Sequence, residues 1–214
     1  MAQQARAMAT RQQIVLGAAE NFERSGYEGA SLGAIVESSG ITKGALYFHF
    51  RSKDELAQVV IEEQHRISIA AVEAIANLDI SALEQIVMLS HEMARQMIDE
   101  PIVRAGIRLT LELSATNGPT GPYLDWIAAC EKLTEQAIAQ GDILDTIDAA
   151  MLARFVISAY NGVQLVSNVL THRQDLEQRL DEMWILLLPA VMPADRHGEI
   201  PRIRAARWTP PSGD

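Results

Sequence analysis

Cysteine occurs once in this chain of 214 residues, at Cys130, so an internal disulfide is excluded and a reducing cytoplasm is expected. Long apolar runs are lacking. The longest candidates, 155–170 and 184–191, are short or interrupted by Asn161, Gln164 and Asn168, so no membrane span and no membrane partner is expected. The first residues, MAQQARAMATRQQ, lack the apolar core of a signal peptide. Catalytic signatures are missing too: there is no P-loop, no G-x-G-x-x-G and no G-x-S-x-G. The five histidines are scattered, and Glu62 and Glu63 are ordinary residues of an exposed helix face. His91-Glu92 begins like a zinc-protease motif, but Arg95 stands where the second histidine belongs. The expectation is therefore no enzyme, no catalytic residues, no metal and no cofactor.

What is present fits a globular protein: 48% apolar and 21% charged residues, in a length that suits one ordinary domain or two small ones. Net charge is −10, which taken alone argues against a nucleic-acid partner. Its distribution argues the other way. Residues 1–53 hold six Lys/Arg against four Glu, a net of +2, and the remaining 161 residues carry a net of −12. A mildly basic head on an acidic body fits a protein that presents only one end to DNA and would bind it through a local surface with strong salt dependence.

The most informative stretch is SLGAIVESSGITKGALYFHFRSKDEL, residues 31–56. Leu32, Ile35 and Val36 fall on one side of a short helix. Gly40 ends it, since glycine takes positive φ freely, and Ile41 plugs the corner. Thr42 is an N-cap for a second helix, on which Leu46 and Phe50 face inward with Phe48 counted among the apolar face. Thr42, Lys43, Tyr47 and His49 look outward. Ser52 and Glu55 have the spacing of a capping box opening a third helix. Two helices around a glycine turn, the second polar outside, describe a helix-turn-helix. Its hydroxyls, ammonium and imidazole suit phosphate oxygens, Gly44 permits close backbone approach, and Lys53 at a helix start can meet a phosphate beside free N–H groups. The bland alternatives are a core role for Tyr47 and a merely solvated His49.

T-K-G-A-L-Y-F-H-F-x-S-K-D-E-L resembles the recognition-helix signature of the tetracycline-repressor (TetR) family of one-component transcriptional regulators. The resemblance implies an all-α protein. Its N-terminal three-helix helix-turn-helix domain would bind double-stranded operator DNA, with Thr42, Lys43, Gly44, Tyr47, His49 and Lys53 at backbone-contacting positions. A C-terminal helical domain would bind a ligand and form a homodimer. The expected division is 1–53 for DNA, 54–193 for ligand and dimer, and 194–214 as an irregular tail.

The remaining chain has helical periodicity throughout. Met1–Ala9 reads as a mobile arm before a first helix over about 10–24, with Ile14, Val15, Ala18, Ala19 and Phe22 on one side. A long helix over about 52–77 carries the stripe Leu56, Val60, Gln64, Ile67, Ala71 and Ala74. Gln64 sits either at the stripe's edge in water or buried, where it needs a partner that a ligand can provide. Further helices follow over about 81–99 (Leu83, Ile86, Val87, Ser90, Ala94 and Met97 inward) and from Pro101 (Val103, Ile107, Thr110, Leu111), with Arg104 and Arg108 solvated or salt-bridged. After the loop Asn117-Gly118-Pro119-Thr120-Gly121-Pro122 comes a helix over about 123–140, striped by Tyr123, Trp126, Ile127, Cys130, Leu133, Thr134 and Ala137. Two apolar helices close the fold. Leu152, Phe155, Ala159, Val163, Val166 and Leu170 align on one, and Leu176, Leu180, Met183, Leu187 and Ala190 on the other. They suit either a four-helix bundle with a second copy or closure of their own core.

A narrower resemblance runs through ARAMATRQQIVLGAAENFERSGYEGASL, ITKGALYFHFRSKDELAQVVI, PIVRAGIRLTLE and PYLDW. These segments are similar to the γ-butyrolactone-receptor branch of the family, known from antibiotic-producing actinobacteria. That resemblance implies a pocket lined by Trp126, which is otherwise a plain core aromatic, and release of DNA on binding a small lactone or furan-type signal. Gln64, Thr110 and Thr134, with Cys130 beside them, are the candidate ligand contacts. With no charged cluster facing inward, the expected ligand is neutral and mostly apolar. A ligand between Gln64 and Trp126 would shift the helix over 52–77. The alternatives are a pseudo-receptor answering to antibiotics and a DNA-binding protein without a ligand.

Overall fold

The computed structural model describes residues 2–114 and 118–210, with side chains from Gln4 onward. Among these residues there is no β-strand. Ten α-helices follow one another: α1 (Ala2–Gly29), α2 (Leu32–Ser39), α3 (Lys43–His49), α4 (Lys53–Ala76), α5 (Ala82–Asp99), α6 (Pro101–Leu113), α7 (Gly121–Ala139), α8 (Ala149–Thr171), α9 (Leu176–Val191) and α10 (Ile200–Arg204), with a 3-10 helix at Ala194–Glu199. Two compact units form, one from Met1–Ser68 with Asp99–Thr120, the other from Ile69–Ile98 with Gly121–Asp214.

In the first unit, Ile14, Val15, Ala18, Ala19 and Phe22 of α1 are all buried, as their spacing predicts. They meet Ile35, Leu46 and Phe50 from α2, α3 and its C-cap, Leu56, Ala57, Val60 and Ile61 from α4, and Ala105 and Leu109 from α6. Each of the Val, Leu, Ile and Phe side chains among them contributes about 1.5–3 kcal/mol on burial, and the alanines less. The expected arm is instead the start of α1; Ala, Gln, Arg and Met have high helix propensity, and Met1 alone lies outside the described residues. The helical dihedrals break at Gly26 (φ 70°), where the end of the first helix was expected. Behind it Arg104 and Arg108 of α6 grip α1. Arg104 pairs with Glu23 at 2.5 Å, Arg108 donates to the Glu23 carbonyl at 2.6 Å, and Glu112 accepts from the Tyr27 N–H at 2.6 Å.

The second unit is cored by Leu83, Ile86 and Val87 of α5, Cys130, Leu133 and Ala137 of α7, Leu152, Ala153 and Val156 of α8, and Trp184, Leu188 and Val191 of α9. The inward side of α8 differs from the expected stripe. Leu152, Val156, Tyr160, Gln164 and Ser167 face the core, whereas Phe155, Val166 and Leu170 are 54%, 46% and 64% exposed. On α9 Leu176 and Leu180 are buried as expected, but Trp184, Leu188 and Val191 continue the inner face while Ala190 is exposed. By length and composition α8 does reach what a membrane span needs, contrary to the sequence expectation, yet its buried face carries Gln164 and Ser167. The expected irregular tail is folded as far as Arg204. Arg204 pairs with Asp181 at 2.5 Å, Arg202 with Glu84 and Glu199, Arg196 with Asp142, and Ile203 is buried. Residues 211–214 of that tail, and Asn117 of the expected loop, lie outside the described residues.

Candidate nucleic-acid interface and ligand-binding core

The helix-turn-helix is held by local chemistry. Ser31 Oγ accepts from the Ala34 N–H and caps α2; Gly40 ends it at φ 64°, a left-handed conformation that costs glycine little. Thr42 is extended (ψ 150°), and its Oγ1 accepts from the Ala45 N–H, capping α3. Ser52 Oγ accepts from the Glu55 N–H at the head of α4, while the Glu55 carboxylate reaches back to the Arg51 N–H at 2.8 Å, one residue before the partner a capping box specifies.

This frame leaves Thr42, Lys43, Gly44 and Tyr47 exposed and His49 half-buried. The Lys43 ammonium lies 6.0 Å from the Tyr47 ring centroid. Phe48, expected on the apolar side, is 80% exposed and meets the His49 ring edge-on at 5.0 Å. At roughly 100° per residue the face shared by Leu46 and Phe50 excludes position 48. Sequence reasoning missed this exposed aromatic, and the helical wheel was the signal that could have found it. Lys53 is engaged within the head. Its Nζ donates to the carbonyls of Tyr27 (2.7 Å) and Ala30 (3.2 Å) and sits 4.3 Å from the Tyr27 ring, while Tyr27 OH pairs with Asp54. An ammonium has three donors, so one remains for an anion.

Gln64 is fully buried, which settles its place away from the stripe's edge. Ser68 and Ile75 take the inner positions expected for Ile67 and Ala74, which are half-buried. Gln64 Nε2 donates to Ser68 Oγ at 2.9 Å, and its Oε1 is buried with no hydrogen-bond partner. Gly106 of α6 lies so close that a Cβ there would overlap the Gln64 side chain. Thr110 is buried and donates to the Gly106 carbonyl at 2.8 Å. These groups belong to the first unit.

Trp126, Cys130 and Thr134 belong to the second unit, where one face of α7 buries all three. Tyr123 packs edge-on against Trp126 at 5.1 Å between centroids, and its hydroxyl donates to Asn161 Oδ1 at 3.0 Å. Thr134 Oγ1 donates to the Cys130 carbonyl at 2.8 Å. Burial pushes the Cys130 thiol up to about 11, against a smaller opposing effect of Thr134. Burial likewise raises the Tyr123 and Tyr160 phenols above their ordinary range. Ionisable groups do face inward here, contrary to expectation. Glu92 is buried under a two-pronged contact from Arg95 (2.8 Å each) with Gln96 at 2.9 Å, and the buried His91 holds Glu177 through Nδ1 at 2.6 Å. The buried Glu92 charge is thus paired, as burial requires. Among the described residues no group of three metal-ligating side chains forms.

Two family models match the chain: that of bacterial regulatory proteins of the tetR family over residues 14–60, and that of the tetracyclin repressor-like C-terminal domain over residues 80–193. The A-factor receptor protein of Streptomyces griseus is 36% identical over 191 residues, covering 89% of this chain and 67% of that protein. Among solved structures, a gamma-butyrolactone receptor described as ArpA-like superposes with a TM-score of 0.79 at 30% identity, over 94% of this chain and 96% of that one. CprB from Streptomyces coelicolor, solved in complex with its biological operator sequence, gives 0.78 at 32% identity with the same coverage.

Proposed function

Because the chain belongs to the tetR family of bacterial regulatory proteins, we propose that it is a cytoplasmic repressor that grips palindromic operator DNA as a homodimer and releases it on binding a small, mostly apolar signal of γ-butyrolactone or furan type. Residues 1–53 are the DNA-binding head, 54–193 the ligand and dimer region, and 194–214 the tail. Antibiotic biosynthesis is the process it controls. No catalytic role is part of this reading.

The observation that carries it is α3, a capped helix whose outer side offers Thr42, Lys43, Gly44 and Tyr47 to solvent. A helix of this kind enters the major groove, where hydroxyls, an ammonium and the half-buried His49 imidazole take phosphate oxygens, and Lys53 adds its remaining N–H. Support for a dimer comes from the outer faces of α8 and α9. Met151, Phe155, Leu165, Val169 and Leu170 run along one and Leu186, 78% exposed, lies on the other. Apolar area of this extent on a soluble chain marks an interface, and a second copy is the occupant that a palindromic site demands. On the ligand side, Trp126, Cys130 and Thr134 offer an aromatic and apolar wall with a hydroxyl. In the first unit, taken by itself, the Gln64 amide oxygen without a hydrogen-bond partner and the Thr110 hydroxyl are our further candidate ligand contacts.

Footprinting on a selected operator tests the reading. Two protected half-sites about 34 Å apart, or a multiple of one turn, are expected, with loss of protection on adding a hydroxyalkyl γ-butyrolactone. A single half-site held by a monomer overturns the dimer. Release by antibiotics and not by the lactone makes the chain a pseudo-receptor.

A further inference from the structure

Several buried polar atoms of the second unit have no hydrogen-bond partner, His91 Nε2 and Asp142 Oδ2 among them, but two stand one turn apart on the inner face of α8: the hydroxyl of Tyr160, 9% exposed, and Oε1 of Gln164, 4% exposed. Buried polar atoms in folded proteins are nearly always paired, so an adjacent couple left open on one face marks a place built for a guest. Their surroundings are already committed. Asn161, next in sequence to Tyr160, accepts from Tyr123 OH at 3.0 Å and donates to the Ile157 carbonyl at 2.8 Å. Tyr123 in turn lies against Trp126. The Tyr160 hydroxyl lies within electrostatic reach of Tyr123, the ring packed against Trp126, and Gln164 follows it one turn along α8. Neither open group is charged, because burial keeps the phenol protonated, and the charges acting on Tyr160, from Arg173 and Glu177, are opposite in sign.

Deepening the ligand reading given above, we propose that Tyr160 and Gln164 form the polar end of the signal site, and that the signal is a neutral molecule with two features. One is a carbonyl or ether oxygen that accepts from the Tyr160 hydroxyl, and the other is a hydroxyl that donates to the Gln164 amide oxygen. A hydroxyalkyl lactone meets both demands. Its keto analogue has no proton for Gln164, and a furan carboxylate brings a charge that nothing in the pair neutralises. A site built to bond a hydroxyl rejects the analogue lacking it far more strongly than an apolar pocket rejects a missing methylene.

The experiment titrates full-length wild type, Tyr160→Phe and Gln164→Met with four probes: a γ-butyrolactone carrying a six-carbon hydroxyalkyl chain, its keto analogue, its deoxy analogue and a furan carboxylate of similar size. Tryptophan fluorescence reads binding and a gel shift reads operator release. Wild type should prefer the hydroxy lactone over the keto and deoxy forms by on the order of tenfold or more. Gln164→Met should erase that preference. Tyr160→Phe should weaken all three lactones alike by on the order of tenfold. Both variants should hold the operator as wild type does. Should Gln164→Met not fold, Gln164→Asn, which keeps the amide and withdraws it, makes the same comparison. If the lactones bind and release DNA with the hydroxyl preference intact in both variants, the couple holds buried water only and this inference falls while the ligand reading stands. If no lactone binds wild-type protein that holds its operator, the ligand reading falls and takes the inference with it. Preference for the furan carboxylate overturns the neutral-ligand assignment directly.

Discussion

The indole N–H of Trp184 donates to the hydroxyl of Ser90 across 2.8 Å, joining α9 to α5 in the middle of the second unit's core. Ser90 donates in turn to the Val87 carbonyl at 2.7 Å, so the hydroxyl serves both as acceptor and as donor. Ser90→Ala strands a fully buried indole N–H and should cost about 1–3 kcal/mol. Pairing it with Trp184→Phe removes the stranded donor, so the double variant should lose less than the sum of the two singles. Urea unfolding followed by circular dichroism measures all three, and strict additivity would show the bond to be energetically idle.

On the DNA side, Lys43 stands exposed at the start of α3 with Tyr47 beneath its ammonium. Lys43→Ala should weaken every operator alike and flatten the dependence of log K on log salt by about one phosphate's worth. Relaxed preference at a single base pair with an unchanged salt slope would make Lys43 a reader of bases.

Trp126 is 5% exposed on α7, so replacing it by alanine opens a cavity costing about 3–5 kcal/mol. Trp126→Phe keeps more of the volume. In either variant that remains folded, response to the lactone should fall while operator affinity holds, as gel-shift release against ligand concentration would record. Release at the wild-type ligand concentration would remove Trp126 from the signal site and leave it a core aromatic.

Cys130 should be a poor nucleophile in the folded protein. Its thiol is pushed up to about 11, chiefly by desolvation, so thiolate at pH 8 is about a hundredfold scarcer than for an ordinary exposed thiol. A raised folded value means that the neutral thiol's contribution to stability is intact below pH 9 and is lost as pH climbs toward 11. Iodoacetamide labelling followed by mass should be slow at pH 8 and abrupt on unfolding. Rapid labelling of native protein would refute the buried, protonated state.

Much of this fold is legible because its signals are local. Gly40, Thr42 and Ser52 punctuate the chain through groups within three residues of themselves, and the one-sided stripes of α1 and α7 name their own buried faces. α8 is different. It is apolar nearly all round, so periodicity alone could not say that Val156 and Gln164 point in while Phe155 and Leu170 point out. The deciding partner is distant: Ser167 faces inward because its hydroxyl donates to Asp175 at 2.6 Å, beyond the helix end. Lys53 shows the same limit. Its place beside a helix start was legible, but its bonds to the Tyr27 and Ala30 carbonyls depend on the end of α1 and the residue after it, 26 and 23 residues away. The open couple on α8 was invisible for the opposite reason, since a sequence does not record which polar groups end up without a partner.

The clasp of α6 on α1 also orders events at the ribosome. Ala105 and Leu109 belong to the same core as Phe22 and Leu46, although Glu23 meets its Arg104 partner 81 residues downstream. A nascent chain that has exposed α1 through α3 still lacks one wall of its hydrophobic centre. The first unit becomes complete only after α5, which belongs to the other unit, has been synthesised, so a fragment cut after α4 would emerge with an unsealed flank and without Arg104 and Arg108, the half-buried partners of α1.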